Sequence, residues 1–260
     1  MSDVVLVENV GATRMVTIKR PEVRNALTRP VLQRLTEALL AASADSAVRC
    51  VVLTGAGGHF CSGADLRQNF MDDPQMMDHM GEYMDEFHGV VKSVVRCDKP
   101  TIAMMDGAAV GFGADLAFAC DLRVASSRAY VQENFVKRGL MPDGGGSFWL
   151  PRLVGTAKAM QMVLLAEKVV ALELERLGVV VKVVEPDRLR EATLEVARVI
   201  EAGPPLAHAA IKRCLYASWG SVDDALRRER DEQLKLLRSA DVTEGVMSWM
   251  EKREPRFQGK

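Results

Sequence analysis

The apolar residues of this chain follow two spacings, and the spacing changes along the sequence. Short apolar runs predict buried β-strands at residues 4–7, 15–19, 50–54, 101–105, 120–125, 129–131 and 179–184. A turn at Gly11 joins the first two strands into a hairpin, and helical spacing after Pro30 predicts a helix that begins at Arg29. Strands and helices therefore alternate, which predicts an α/β fold built from a strand-strand-helix unit repeated up to about residue 195.

The carboxyl-terminal part of the chain has a different pattern. Amphipathic segments predict helices at residues 187–200, 206–217 and 221–237. We therefore divide the chain into a core of residues 1–195 and a helical region of residues 196–260. Because no low-complexity linker separates the two, we expect the helices to pack on the core or on a neighbouring subunit.

Residues 72–97 have helical character and carry several methionines in and beside them, at positions 71, 76, 77, 80 and 84. Methionine fills irregular apolar space without specifying one packing arrangement. The segment is either a pliable wall over a pocket or a surface helix with a soft underside.

Composition narrows the class of protein. The chain has 260 residues, of which 48% are hydrophobic and 27% charged, with a formal net charge of -1. These values are typical of a globular enzyme, and the absence of a basic block argues against a nucleic-acid surface. No signal peptide or membrane span is predicted, so we expect a cytoplasmic protein. The five cysteines are odd in number and widely spaced, which argues against a disulfide framework or a zinc site.

Two glycine-containing loops follow predicted strands. The first is FCSGADL at residues 60–66, and the second is DGAAVGFGAD at residues 106–115, which leads into a short predicted helix from Asp115 to Ala119. Glycine permits unusual backbone angles and a close approach of a ligand to the main chain. Because the loops follow neighbouring strands, they could face each other and expose backbone amides. Neither glycine pattern matches a dinucleotide or phosphate loop.

Five segments together resemble the enoyl-CoA hydratase/isomerase family, or crotonase superfamily. They are RPEVRNAL, FCSGADL, KPTIAMMDGAAVGFGADLAFACDLRVAS, GLMPDGGGSFWLPRLVG and RSADVTEGVMSWMEKREPRFQGK. The resemblance covers essentially the whole chain and implies an α/β spiral of strand-strand-helix turns with a C-terminal helical trimerisation region. It also implies a homo-oligomer, either a trimer or a dimer of trimers, and an acyl-CoA thioester substrate. No metal or redox cofactor is implied, since coenzyme A is part of the substrate.

The resemblance assigns an oxyanion hole to two backbone amides, those of Ala64 and Phe112, which would stabilise a thioester enolate. Hydratases of the family use two glutamates to activate water, and these positions correspond to Asp115 and Phe135 here. A phenylalanine cannot exchange a proton, so this pair lacks one of the two groups that activate water in the hydratases. Asp143 matches the acid/base carboxylate of isomerase-like members, including ring-1,2-epoxyphenylacetyl-CoA isomerases.

We therefore expect Asp143 to be the main base, with Asp115 as a second shuttle group or an orienting residue. Structural alternatives remain open for both carboxylates, because Asp143 precedes three glycines and could cap a turn or helix. By the same resemblance, coenzyme A binding is assigned to Arg24, Ala26, Ala64, Asp65 and Leu66. Arg24 is either a phosphate ligand or a solvated loop arginine. The predicted acyl pocket comprises Met80, Met84, Phe112, Phe135 and Trp149.

Two classes of function follow from these residues. The first is a catalytic acyl-CoA isomerase or hydratase, and the intact Asp143 favours it. The second is a non-catalytic acyl-CoA binding protein that retains the oxyanion loops, and the phenylalanine at position 135 keeps it open.

Overall fold

A computed structural model describes residues 4–71, 76–217 and 221–260 of the chain. The strands are β1 (Val5–Val10), β2 (Thr13–Ile18), β3 (Cys50–Gly55), β4 (Thr101–Met105), β5 (Ala108–Val110), β6 (Leu122–Ser126), β7 (Tyr130–Gln132), β8 (Val169–Val170) and β9 (Lys182–Val184). The first seven α-helices are α1 (Arg29–Ala44), α2 (Leu66–Met71), α3 (Met80–Val95), α4 (Phe112–Ala119), α5 (Gly146–Val154), α6 (Thr156–Leu165) and α7 (Ala171–Arg176). The remaining ones are α8 (Leu189–Ala202), α9 (Pro205–Ala217), α10 (Val222–Leu236) and α11 (Ala240–Glu251).

The strands form two sheets. The larger has the order β1-β2-β3-β4-β6-β9, in which the β1–β2 hairpin is antiparallel and every other pair is parallel. The smaller has the order β5-β7-β8. The chain steps from one sheet to the other between β4 and β5, and again between β6 and β7. The α/β fold predicted from the sequence is confirmed.

Helices cover both faces of the large sheet. One face packs against α1, which buries Leu32, Leu35 and Leu39 in the main core together with residues of α3 and α4. The other face packs against α8, where Ala192 and Ala197 join a second core of sheet residues that includes Val52. Because β3 lies between two helical layers, its first five residues are all buried. The predicted boundary at residue 195 falls inside α8.

Some predicted boundaries change. The long helix predicted over residues 72–97 is a 3-10 turn, Met76–His79, followed by α3, while residues 72–75 lie outside the described residues. The short helix predicted to begin at Asp115 begins instead at Phe112, because Gly111 takes a positive φ of 55° and turns the chain directly into α4. Several elements were not predicted at all, namely β5, β8, α5, α6 and α7.

Buried charges join the core to the C-terminal helices. Lys212 of α9 is buried, and its ammonium group donates to Asp121 at 2.8 Å and to the backbone oxygen of Val94 at 3.0 Å. Asp121 also accepts from Thr101 and from the hydroxyl of Tyr216. Asp121 therefore has a structural role. Within the described residues, no helix is long and apolar enough to cross a membrane.

Replacing Asp121 by alanine tests this junction. The variant leaves the Lys212 ammonium group buried without its carboxylate, so we expect a loss of about 3 to 5 kcal/mol in the free energy of unfolding. Arg34→Ala is the control, because it removes an exposed ion pair with Glu37 and should cost less than about 1 kcal/mol. Urea denaturation of both variants measures the difference, and equal losses would contradict the assignment.

Candidate active site

Two loops meet where β3 and β4 end. Because these strands are neighbours and parallel, the segments that follow them leave the same edge of the sheet. The loops then pair: Cys61 forms a bridge with Ala109, the amide of Val110 donates to the Cys61 oxygen at 2.9 Å, and the amide of Cys61 donates to the Ala108 oxygen at 3.0 Å. The expectation that the two glycine-containing loops face each other is confirmed.

Two glycines permit this close approach. A Cβ atom at Gly113 would overlap the carbonyl oxygen of Cys61. Gly63 has a φ of 89°, and a Cβ atom there would lie 2.8 Å from the oxygen of Val110 and 3.4 Å from the amide nitrogen of Phe112. The contact between the loops therefore requires glycine on each side.

The loops leave two backbone amides available. Phe112 is the first residue of α4, so its amide has no intrahelical acceptor. Ala64 pairs with Leu27 through bonds made by the residues on either side of Ala64, which leaves its own amide out of the ladder. Among the hydrogen bonds of the described residues, neither amide has an acceptor. Both can therefore donate to a ligand.

Asp65 anchors the first loop. One of its carboxylate oxygens accepts from the amide of Gln68 and so caps α2, while the other forms an ion pair with Arg20 at 2.9 Å. The Arg20 guanidinium also donates to the oxygen of Ala26 at 2.7 Å. The predicted coenzyme A residue Asp65 therefore holds the Ala64 loop against the segment that contains Ala26.

Asn25 is a residue that the sequence reasoning missed. It is fully buried with a φ of 58°, accepts from the amide of Arg20 at 3.0 Å, and donates to the oxygens of Ala56 and His59 at 2.9 and 2.7 Å. An asparagine in a loop tolerates this left-handed conformation, which was the available signal. Beside it, Arg24 is exposed, also with a positive φ, and its backbone oxygen accepts from the amide of Ser62.

The remaining predicted coenzyme A residues differ in exposure. Ala26 is buried, and its backbone oxygen accepts from the Arg20 side chain that also pairs with Asp65. Leu66, the first residue of α2, is exposed. A ligand can therefore contact the side chains of Leu66 and Arg24 from solvent. The side chain of Ala26 is buried, so a ligand can contact only the backbone of this residue.

An aromatic wall connects α3 to the second loop. The rings of Tyr83 and Phe87 lie edge to face at 5.2 Å, and Phe87 lies edge to face with Phe112 at 4.6 Å. Met80 is half-buried against the main core, but Met84 is 37% exposed. The structure thus turns Tyr83 and Phe87 inward, while the predicted pocket residue Met84 lies at the surface of this chain.

Of the other two predicted pocket residues, Phe135 lies near Gly111 and Trp149 lies on α5. Phe135 is buried, and its ring would lie 3.7 Å from a Cβ atom at Gly111. Trp149 of α5 is half-buried between Phe148 and Tyr216, with ring centroids at 4.6 and 5.6 Å. Its indole nitrogen is buried and has no hydrogen-bond partner among the described residues.

Asp115 fastens the loop that carries Asp143. Asp115 is 0% exposed, on the first turn of α4, and one carboxylate oxygen accepts from the amide of Gly144 at 2.9 Å. Its other oxygen is buried without a partner among the described residues. Burial raises the pKa of Asp115, the Gly144 amide opposes that shift, and the charge of Asp143 adds to it. Asp115 therefore has a structural role, which is to orient the loop that carries Asp143.

Asp143 is the second member of a cluster of carboxyl groups that comprises Asp115, Asp143 and Glu133. It is half-buried, and one carboxylate oxygen is buried without a partner among the described residues. The Nε2 atom of His88 is 3.0 Å from the backbone oxygen of Asp143 and donates to it when that nitrogen carries the proton. Burial raises the pKa of Asp143, and the nearby His88 opposes the shift. A raised pKa suits a carboxylate that exchanges protons near neutral pH.

Glu133 is a third carboxyl group that the sequence reasoning missed. It is 0% exposed, and neither carboxylate oxygen has a partner among the described residues. Burial raises its pKa, and the charges of Asp115 and Asp143 raise it further. Alternation along the short strand β7 was the available signal, since it places Glu133 on the same side as the buried Val131. Nevertheless, no group of three or more histidine, cysteine or acidic residues in the described ranges is arranged to hold a metal ion.

Comparison with known proteins agrees with this geometry. The family model described as enoyl-CoA hydratase/isomerase matches residues 8–260. The chain belongs to the enoyl-CoA hydratase/isomerase family. It is 38% identical to a probable enoyl-CoA hydratase of Rhodobacter capsulatus, an alignment that covers 95% of this chain and 94% of that protein. It is 35% identical to the 1,2-epoxyphenylacetyl-CoA isomerase of Escherichia coli, with 94% of both chains covered.

Solved structures of the same family share the fold. A crystal structure of an enoyl-CoA hydratase from Polaromonas sp. JS666 matches with a TM-score of 0.93 and 33% sequence identity, covering 97% of this chain and 99% of that one. The whole described architecture is therefore that of an enoyl-CoA hydratase/isomerase, and acyl-CoA thioesters are the substrates of the family.

Replacing Glu133 by glutamine tests the electrostatics of the cluster. Burial raises the pKa of Glu133 in the folded state, so between its unfolded and folded values the folded chain holds a proton that the unfolded chain has released. The free energy of unfolding therefore falls as the pH rises through this window. Glutamine cannot ionise, so we expect E133Q to become more stable than the wild type by roughly 1 to 3 kcal/mol at pH 8, and to lose this advantage near pH 4.

Urea denaturation at about pH 4, 6 and 8 measures this stability difference. Glu37→Gln, at an exposed position of α1, should show no comparable pH dependence. A stability difference between E133Q and the wild type that stays constant across this range would contradict the buried, protonated Glu133.

Proposed function

We propose that this protein is an acyl-CoA isomerase, which shifts a double bond by proton transfer with Asp143 as the base. The observation that carries the proposal is the Asp143 carboxyl group, which is partly buried on a loop fastened to α4 and has one oxygen without a partner among the described residues. The amino terminus of that helix presents the free amide of Phe112. The base and the amide therefore belong to one rigid unit.

The chemistry requires stabilisation of an enolate. In a 3-enoyl-CoA, removing a proton from the carbon next to the thioester carbonyl pushes negative charge onto the thioester oxygen. The amides of Ala64 and Phe112 lie in loops that touch each other, and both are available to donate to that oxygen. Since the amino terminus of α4 also carries a partial positive charge, it adds to the stabilisation.

The proton balance closes with one carboxylate. The Asp143 carboxylate takes a proton from one carbon, and the C–H electrons form the enolate. The protonated Asp143 then returns its proton to the other end of the conjugated enolate, so the double bond moves by one position and the Asp143 carboxylate is regenerated. Burial raises the pKa of Asp143, which makes its carboxylate a stronger base than that of an exposed aspartate.

The Asp143 loop lies against the oxyanion loop. A Cβ atom at Gly144 would lie 2.9 Å from the ring of Phe112 and 2.6 Å from the Cβ atom of Asp115. The residue after the base is therefore packed directly on the residue that offers an amide. Phe135, at the position where family hydratases carry a glutamate, supplies only an apolar ring, which favours proton transfer over water activation.

Hydration is the second candidate, because Asp115 and Glu133 are buried carboxyl groups with unpartnered oxygens that could hold a water molecule. The relative in R. capsulatus is also named a probable hydratase. Binding without catalysis is the third possibility, and it requires Asp143 to have only a structural role.

Coenzyme A is proposed to lie along the Ala64 loop. The exposed Arg24 is a candidate phosphate ligand, and the exposed Leu66 is a further contact residue for coenzyme A. No further cofactor is proposed. A homo-oligomer, as a trimer or a dimer of trimers, is consistent with exposed apolar residues on α11, among them Trp249 at 80% exposure.

Asp143→Asn is the direct test. We expect it to lower kcat for a 3-enoyl-CoA by about 100-fold or more, because an amide cannot accept the proton, while the chain stays folded. The assay incubates each protein with 2-enoyl-CoA and 3-enoyl-CoA and follows double-bond position and water addition. Wild-type activity in D143N would remove Asp143 from the mechanism, and water addition by the wild type would favour the hydratase.

Gly113→Ala tests the oxyanion loops. The added Cβ atom overlaps the Cys61 oxygen, so it pushes the loops apart and displaces the neighbouring Phe112 amide. Loss of one donor typically lowers kcat by about 10²- to 10³-fold. Gly89→Ala in α3 is the matched control, since its Cβ atom meets nothing closer than the Thr36 hydroxyl at 4.0 Å. Unchanged kcat in G113A, measured with thermal unfolding of both variants, would contradict this role.

A further inference from the structure

A carboxyl group beside the two aspartates is not used by the mechanism above. Glu133 directly follows β7, and the backbone oxygen of the preceding residue, Gln132, accepts from the amide of Gly111 at 2.9 Å. Glu133 is therefore one residue from a direct hydrogen bond to the loop that presents the Phe112 amide. Its position is fixed by the same pairing that fixes the oxyanion loop.

The fold itself makes no use of the Glu133 carboxyl group. Both of its oxygens are buried, and within the described residues neither accepts from an amide nor pairs with a cation. Buried polar side chains are normally hydrogen-bonded, because burying one without a partner costs free energy. Asp115, by contrast, secures the Gly144 amide. A carboxyl group kept at such a cost without a structural contact points to a role with the bound substrate.

The groups that face Glu133 decide its protonation. Asp115 on α4 and Asp143 on the loop before α5 both act on it as negative charges, and His88 on α3 lies on the Asp143 side of the cluster. Three ionised carboxylates in one buried cluster repel one another strongly. Asp115 has an amide donor and Asp143 has His88 nearby, whereas Glu133 has neither. Glu133 is therefore the member of the cluster that retains its proton.

We propose that Glu133 is a second acid–base group of the active site, which enters the reaction as a neutral carboxylic acid and delivers its proton to the acyl chain. This inference rests on the isomerase function proposed above and changes its proton path. Asp143 takes the proton from one carbon, and the Glu133 O–H group protonates the other carbon as the enolate collapses. Asp143 is left protonated and Glu133 ionised. Asp143 then releases its proton to solvent and Glu133 takes one up.

The first test is the turnover of Glu133→Gln on a 3-enoyl-CoA. Glutamine keeps the shape of the side chain but has no acidic proton, so we expect kcat to fall by about 100-fold, with KM within about three-fold of the wild type. Glu133→Asp retains an acid and should recover part of the loss. Glu37→Gln, on the exposed face of α1, should keep the wild-type kcat. A kcat of E133Q within three-fold of the wild type would overturn the proposal.

The second test follows the proton itself. The substrate carries deuterium at the carbon that loses its proton, and mass spectrometry measures deuterium in the product. With two acid–base groups the label passes to Asp143 and then to solvent, so the wild-type product should lack it. In E133Q the residual reaction must use Asp143 alone, so a larger share of the product should retain the label. Equal label retention in both proteins would overturn the proposal.

The outcomes separate this inference from the function on which it rests. If the wild type and Glu37→Gln isomerise the substrate and Asp143→Asn does not, the proposed function holds, and E133Q alone decides the role of Glu133. If the wild type leaves the 3-enoyl-CoA unchanged, the proposed function fails and the assignment of Glu133 fails with it. Circular dichroism of each variant, with the urea denaturation described above, identifies any loss due to misfolding.

Discussion

The pairing of Cys61 with Ala109 is the contact on which the active site depends. It joins the loop after β3 to the loop after β4, and it is possible only because Gly63 and Gly113 leave room for the opposing backbone. The parallel pairing of the two strands brings both loops to one edge of the sheet. Two amides are then left without acceptors, because one begins a helix and the other lies between two bridging residues. A backbone constraint, rather than a side chain, thus creates the polar centre of the site.

The three carboxyl groups of the site, Asp115, Asp143 and Glu133, are held in position by different contacts. Asp115 lies on α4 and secures the loop of Asp143, so the helix that offers an amide also positions the proposed base. Glu133 is fixed through the strand that pairs with β5. Burial raises the pKa of all three groups, and their mutual repulsion keeps at least one proton in the cluster. The site therefore combines fixed donors for an oxyanion with carboxyl groups that can exchange protons.

The sequence predicted the elements whose signal is local. The glycine loops and the strands of the large sheet both follow from short patterns. The start of α4 did not, because its position depends on the positive φ of Gly111, which no apolar spacing reveals. The side of α3 that faces the site was predicted from its methionines Met80 and Met84, whereas the buried side carries Tyr83 and Phe87. Glu133 was missed because β7 is too short for alternation to stand out, and the two carboxyl groups whose charges act on Glu133 come from other segments of the chain.

The central claim is that the amides of Ala64 and Phe112 polarise a thioester carbonyl. The most direct measurement is the infrared stretching frequency of a ¹³C-labelled thioester carbonyl, in a non-reactive acyl-CoA bound to the wild type and to G113A. Hydrogen bonds from two amides weaken the C=O bond, so the account predicts a shift to lower frequency on binding to the wild type, and a smaller shift in G113A. A bound carbonyl that absorbs at the frequency of the free thioester in both proteins would contradict it.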